Sequence, residues 1–174
     1  MKGVEDGMSI HLTEEQKSFV DCRDAVKVFV GKHGKGKTFV GAYDYLVNAK
    51  PGERGVVVAP TYAMLRNSTQ RVFLELAESL GLLTRFTRST ETAILRNGHH
   101  VKFICANSQE TILGLSLSRA WIDDAQYIEE QCYNLVCSRL HGDDAVVSVT
   151  YNKHWTEGVF GDKRRSDIVW VESQ

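Results

Sequence analysis

Eight consecutive residues, Gly31-Lys32-His33-Gly34-Lys35-Gly36-Lys37-Thr38, match the phosphate-loop pattern G-x-x-x-x-G-K-[ST] in full. Each specified position has a chemical reason. Glycines let the backbone turn its N–H groups toward phosphate oxygens, Lys37 reaches the β and γ phosphates, and the Thr38 hydroxyl is a ligand for Mg²⁺. Lys32, His33, Gly34 and Lys35 complete the cradle. The apolar run Val26-Lys27-Val28-Phe29-Val30 precedes the loop and an apolar-periodic stretch, Phe39 to Val47, follows it, which is the strand-loop-helix setting the pattern needs. A helix opening near Gly36 adds the positive end of its dipole, equivalent to roughly half a charge. The competing reading is a Gly-rich turn that only joins two elements.

A triphosphate bound with Mg²⁺ calls for a carboxylate at the end of a neighbouring apolar strand. Ala120-Trp121-Ile122-Asp123-Asp124 supplies one. Asp123 is assigned to the metal and Asp124 to orienting or deprotonating the attacking water, a role usually filled by Glu in hydrolytic members of this class. Asp is one methylene shorter, so catalysis is slow or the water sits differently. The pair also reads as a polar strand end and helix N-cap. A second acidic pair, Asp143-Asp144, precedes the Val146 strand and fits a turn better. That strand, Val146-Val147-Ser148-Val149, ends in Thr150-Tyr151-Asn152, whose short polar side chains can sense a γ-phosphate or merely begin a turn.

The elements that must position these residues are legible as apolar runs at Val26 to Val30, Val56 to Ala59, Ala120 to Ile122, Val146 to Thr150 and Ile168 to Val171. Helical stretches lie between them: Lys37 to Asn48, Tyr62 to Leu80 and Ile128 to Leu140. Thr13-Glu14-Glu15-Gln16 is a capping box that starts a further helix after a flexible lead over residues 1–11. Continuous apolar strands alternating with helices imply an α/β fold with a mostly parallel sheet covered on both faces. One segment departs from this: Thr92-Ala93-Ile94-Leu95 and Val101-Lys102-Phe103-Ile104 flank Asn97-Gly98 and read as an antiparallel hairpin.

At 174 residues the chain suits a single domain whose core needs neither metal nor disulfide. Its 43% hydrophobic and 25% charged content is that of a soluble globular protein, and no apolar run approaches a membrane span. The polar N-terminus lacks a signal-peptide core, which places the chain in a reducing cytoplasm with Cys22, Cys105, Cys132 and Cys137 as free thiols. A zinc site is not expected from the Cys132 and Cys137 spacing. Net charge −1 gives no global attraction to a polyanion, so nucleic acid must meet a local patch. Arg85, Arg88, Arg96 and Lys102 form one candidate and Lys153, Lys163, Arg164 and Arg165 another; either is equally a solvated face.

Taken in order, the phosphate loop, Ala59-Pro60-Thr61-Tyr62, the Asn-Gly hairpin, Gly114-Leu115-Ser116, Trp121-Ile122-Asp123-Asp124-Ala125-Gln126, Ser138-Arg139-Leu140 and Thr150-Tyr151-Asn152 followed by Trp155 resemble the bacteriophage large terminase subunit, the viral DNA-packaging motor. The resemblance covers roughly Leu12 to Trp155 and rests on motif order. It implies a RecA-like P-loop ATPase core of the additional-strand, catalytic-carboxylate class, using ATP and Mg²⁺ to translocate double-stranded DNA. It further implies a homo-oligomeric ring, monomeric in isolation, that works in the host-cell cytoplasm with a portal protein and a small terminase subunit. Gln16 falls where such ATPases contact adenine, beside its capping-box reading. Arg139 or Arg66 is the candidate to reach a neighbour's phosphates as a trans arginine finger.

Several positions depart from that family. His33 stands where terminases usually carry Arg, Asp124 where they favour Glu, Leu113 where Arg precedes the glycine, and Lys153 where Pro follows the Asn. Family members continue into a nuclease domain; this chain ends at Gln174, so no DNA cleavage is expected of it. Two other functions fit part of the pattern. A helicase-like ATPase shares Leu12-Thr13-Glu14-Glu15-Gln16 ahead of a phosphate loop but needs a second RecA-like half. A nucleotide-binding assembly module would bind ATP without turning it over, and Asp124 is the residue that keeps this open.

Overall fold

The computed structural model describes residues 10–152 and 169–173. Helix α1 (Glu14–Asp21) starts at the capping box, with Gln16 N–H donating to Thr13 Oγ1 at 3.3 Å and Thr13 N–H donating to Gln16 Oε1 at 3.1 Å. Strand β1 (Val26–Gly31) runs into the phosphate loop and α2 (Lys37–Asn48) leaves it, as the sequence predicts. Strand β2 (Arg54–Ala59) follows.

The helix expected from Tyr62 to Leu80 is interrupted. It comprises a short α3 (Tyr62–Met64), a π-helical stretch (Leu65–Thr69) and α4 (Gln70–Ser79). A π turn is a local insertion into helical spacing, invisible to a periodicity that holds on both sides of it. The expected hairpin is formed by β4 (Thr92–Leu95) and β5 (His100–Cys105), with Gly98 at φ 81° in its turn. A further strand, β3 (Leu83–Thr87), pairs antiparallel with β4. It escapes the sequence reading because it is a half-exposed edge carrying Thr84 and Arg85, with no apolar run. A short α5 (Gln109–Leu113) was likewise not anticipated. The remaining elements are β6 (Arg119–Ile122), α6 (Glu130–Ser138), β7 (Val146–Asn152) and β8 (Val169–Glu172).

All eight strands join one sheet in the order β3-β4-β5-β2-β6-β7-β1-β8. The five pairings from β5 through β2, β6, β7 and β1 to β8 are parallel and the two involving β4 are antiparallel. Alternation along each strand feeds two cores. Val56, Val58, Val28, Val30, Ile122 and Val149 meet α6 through Tyr133 and Val136. Val57, Ala59, Phe103 and Trp121 meet α2 and α4 through Tyr45, Leu46, Phe73 and Leu76. Phe19, Phe29 and Val40 seal α1 against the sheet.

Beneath α2 lies a buried ionic cluster. Asp44 accepts Lys27 Nζ at 2.6 Å, Arg119 Nη2 at 2.7 Å and Ser148 Oγ at 2.7 Å, tying the helix to β1, β6 and β7. The hairpin turn docks just past the C-terminal end of α2, where Asn97 Nδ2 donates to Ala49 O at 2.8 Å. The hairpin's basic residues Arg85, Arg88 and Arg96 are exposed. The second basic cluster, together with Lys153 and Trp155, lies outside the described residues. Among the described residues no helix is long and apolar enough to cross a membrane.

Candidate phosphate-binding site

Because β1, β6 and β7 are parallel, their C-terminal ends open at one edge, where the phosphate loop, Asp123-Asp124 and Thr150 to Asn152 converge. The loop turns through Gly34 at φ 78° and Gly36 at φ 69°, left-handed values that favour glycine. Gly36 caps α2 without any side-chain hydrogen bond, and no acidic residue occupies the first turn. The positive end of the helix is therefore left for an anion. Lys37 arches back over the loop and its Nζ donates to Lys32 O at 2.9 Å. His33 shows no hydrogen bond to the site; it and Lys32, Lys35 stand exposed on the loop. Gln16 lies against the loop: a Cβ on Gly36 would meet Gln16 Nε2 at 2.9 Å. Capping and proximity to the nucleotide site thus coexist in that side chain.

Asp123 is fully buried and receives three threonine hydroxyls. Thr150 donates to Oδ1 at 2.7 Å, Thr69 to Oδ2 at 2.8 Å and Thr38 to Oδ2 at 3.1 Å. Burial, reinforced by the neighbouring Asp124, pushes its carboxyl up to about 6, against the pull of the three hydroxyls. A cation beside it would restore the ionised form. Thr150 is itself oriented by Trp121 Nε1, which donates to its hydroxyl at 3.1 Å.

Among the described residues no group of three His, Cys, Asp or Glu could hold a metal. That does not conflict with Mg²⁺ in a phosphate loop, which is held by one or two protein oxygens together with phosphates and water. Thr38 and Asp123, brought to 3.1 Å of each other, offer the one or two oxygens that such an ion would need from the protein.

Asp124 follows at φ 48° and ψ 45°, a left-handed conformation costing a non-glycine residue about 1–2 kcal/mol. Its Oδ1 accepts from Gln126 Nε2 at 3.0 Å, and Gln126 Oε1 accepts the backbone N–H of Asn152 at 3.1 Å. Asn152 pairs in register with Gly31, so the end of β7 flanks the start of the loop. Among the described residues its Oδ1 is buried without a partner, as is Ser173 Oγ on the opposite flank of Gly31.

The two candidate arginines lie apart from this cluster. Arg66, on the π stretch, is paired with Glu91 and stacked 4.4 Å from the Tyr62 ring centroid. Arg139 follows α6, and its carbonyl accepts from Leu117 N–H ahead of β6. Its Nη1 donates to Leu113 O at 3.2 Å, and the Leu117–Leu140 bridge places it where β6 begins, the opposite end of that strand from Asp123.

Two residues that bear on the site were not anticipated. Thr69 was hidden because the π insertion, not helical spacing, turns it toward Asp123. Gln126 stood in the quoted motif without a role, and its amide contacts depend on how β6 and β7 end.

No family model and no curated protein matches the chain by sequence. Its fold, however, is that of large terminase ATPase domains. It superposes on the large terminase of the thermophilic bacteriophage D6E with TM-score 0.80 at 16% identity, covering 94% of this chain and 46% of that one. The ATPase domain of the Thermus phage P74-26 large terminase gives TM-score 0.69 at 15% identity over 93% of this chain and 80% of that domain. The bacteriophage HK97 large terminase gives 0.69 at 15% identity, covering 88% and 35%. The chain thus spans under half the length of the D6E and HK97 proteins. The D6E enzyme has also been solved in complex with ADP and with ATP-gamma-S.

Proposed function

We propose that this chain is the ATPase domain of a viral DNA-packaging motor of the large-terminase kind, hydrolysing ATP to drive double-stranded DNA into a capsid. The observation that carries the reading is the seating of β7 between β1 and β6, the arrangement expected of an additional-strand ATPase. It puts Thr150 on Asp123 and Asn152 beside Gly31. The shared fold and the nucleotide complexes of the D6E enzyme support it.

In this reading the loop amides, Lys32, Lys35 and Lys37 hold the phosphates, and Lys37 exchanges its bond to Lys32 O for the β and γ oxygens. Gln16 contacts the adenine edge. Mg²⁺, held by Thr38 and Asp123, would neutralise charge between the β and γ phosphates. Asp124 orients the attacking water and takes its proton. Thr150 and Asn152 register the γ-phosphate at the end of β7. Charge developing on the transferred group is met by an arginine of a neighbouring copy, Arg139 being the candidate because it lies where β6 begins, at the opposite strand end from its own loop. The exposed Arg85, Arg88 and Arg96 offer a basic face to the DNA backbone. A homo-oligomeric ring, a portal protein and a small terminase subunit are the partners, in the host-cell cytoplasm.

The test is phosphate release from Mg-ATP under single-turnover conditions. Release is expected in the wild type, with loss of about a hundredfold or more in Lys37→Ala and in Asp124→Asn. Full activity in Lys37→Ala would sink the proposal. A second reading, a nucleotide-binding assembly module, is favoured by the short carboxylate at Asp124; tight ATP binding with no release in either wild type or Asp124→Glu selects it.

A further inference from the structure

The amide of Gln126 touches two parts of the site at once. Its Nε2 donates to Asp124 Oδ1 at 3.0 Å and its Oε1 accepts Asn152 N–H at 3.1 Å. The orientation is not arbitrary. A backbone N–H can only donate and an ionised carboxylate can only accept, so one setting of the amide satisfies both and a flipped amide satisfies neither.

What it holds is also unusual. Asp124 is one of two non-glycine residues at positive φ among the described residues. A conformation of this cost persists where the surroundings over-determine it, and the 3-10 turn Ala125–Tyr127 carries the side chain that does so. On the other side, Asn152 is the last residue of β7 and lies in register with Gly31, while its own Oδ1 is buried with no partner among the described residues. The chain of contacts runs from the first residue of the phosphate loop, across the β1–β7 ladder to Asn152, through one amide, to Asp124.

We infer that Gln126 is a positioning residue that fixes the Asp124 carboxylate and makes its placement depend on the end of β7. The inference rests on the ATPase reading above. A displacement of Asn152 by an occupied loop is passed to Asp124 through this amide, whereas Asp123 is held separately, its Oδ2 by Thr69 and Thr38 from other elements and its Oδ1 by Thr150 of β7. Binding and turnover are thereby separable at this one side chain.

The experiment compares wild type, Gln126→Ala and Gln126→Glu for ADP affinity, measured by titration with a fluorescent ADP analogue, and for single-turnover ATP hydrolysis. Glutamate keeps the acceptor for Asn152 N–H and replaces the donor to Asp124 by a like charge. Both variants are expected to bind ADP within about twofold of wild type and to hydrolyse about ten- to a hundredfold more slowly, the scale of a misplaced reacting group. Hydrolysis at the wild-type rate in either variant overturns the inference. Affinity falling in step with rate also overturns it, because the residue then supports the fold of the site and not the carboxylate. A wild type that binds ADP and releases no phosphate refutes the ATPase reading itself and the inference with it, a pattern distinct from the other two.

Discussion

At the scale of single residues, Asp44 and His99 show how much of this domain rests on buried polar side chains away from the phosphate loop. Asp44 is fully buried between Lys27, 1% exposed, and Arg119, so one anion serves two cations. Burial pulls the Lys27 ammonium below its usual range, with Asp44 opposing that shift. Asp44→Ala leaves two uncompensated buried charges and is expected to cost about 3–5 kcal/mol, read as a lower urea midpoint; an unchanged midpoint would mean the cluster is not structural. His99, also fully buried, bonds Tyr45 Oη at 3.0 Å and Lys50 O at 2.9 Å. With Nδ1–H donating to the carbonyl, the neutral ring accepts from the tyrosine. Burial depresses its pKa below the ordinary 6.5, so the unfolded chain binds a proton that the folded ring refuses. Stability from this group is full above 6.5 and falls as pH drops below it, by at most about 1.4 kcal/mol per pH unit. Urea unfolding at pH 7.5 and 5.5 is expected to show a smaller acid loss in His99→Gln than in wild type.

At the scale of elements, two helices reach the site by means that do not involve the phosphate loop's own residues. The π stretch Leu65–Thr69 aims Thr69 at Asp123. Thr69→Val preserves shape and removes one bond to a buried carboxylate, worth about 1.5–3 kcal/mol, so ATP turnover is expected to fall roughly tenfold or more; turnover at the wild-type level would show the π insertion to be incidental. Helix α2 acts through a glycine. A Cβ on Gly41 would meet Trp121 Nε1 at 2.3 Å, and that nitrogen orients Thr150. Gly41→Ala should cost about 1–3 kcal/mol by overpacking, measured by thermal melting, despite alanine's better helix propensity. These contacts also mark the limit of what the sequence shows. The phosphate loop, the capping box, α2, the parallel strands and the Asn-Gly turn are legible because each has a local signature in residue type or period. Thr69, Asp44 and Gln126 are not, because the contacts that give them a role reach residues 54 away for Thr69, 17 to 104 away for Asp44 and, at Asn152, 26 away for Gln126, and are chosen by packing. The edge strand β3 is missed for the opposite reason: it buries too little to leave a pattern.

At the scale of the whole molecule, the question is whether one copy completes its own site. In the proposed reading Lys37 and the Asp123 cluster serve the phosphates and metal, yet Arg66 is paired with Glu91 and Arg139 bonds Leu113 O where β6 begins. A cation placed away from its own loop can meet a phosphate only in a head-to-tail arrangement, where one copy's far edge faces the next copy's near edge; repeated with closure, that contact makes a ring. Specific activity per chain should therefore rise with protein concentration. Mixing variants separates this from simple stabilisation. Lys37→Ala destroys the phosphate site but keeps the arginine; Arg139→Ala keeps the phosphate site but removes the arginine. Each alone is expected to be nearly inactive. Mixed in equal amounts, random head-to-tail pairing places an intact arginine against an intact loop at about one interface in four, so up to about a quarter of the wild-type rate should return. If Arg139→Ala alone retains full turnover, the arginine is not Arg139. If both variants are inactive and the mixture stays so at every concentration, the site is completed within one chain and the ring adds no catalytic group.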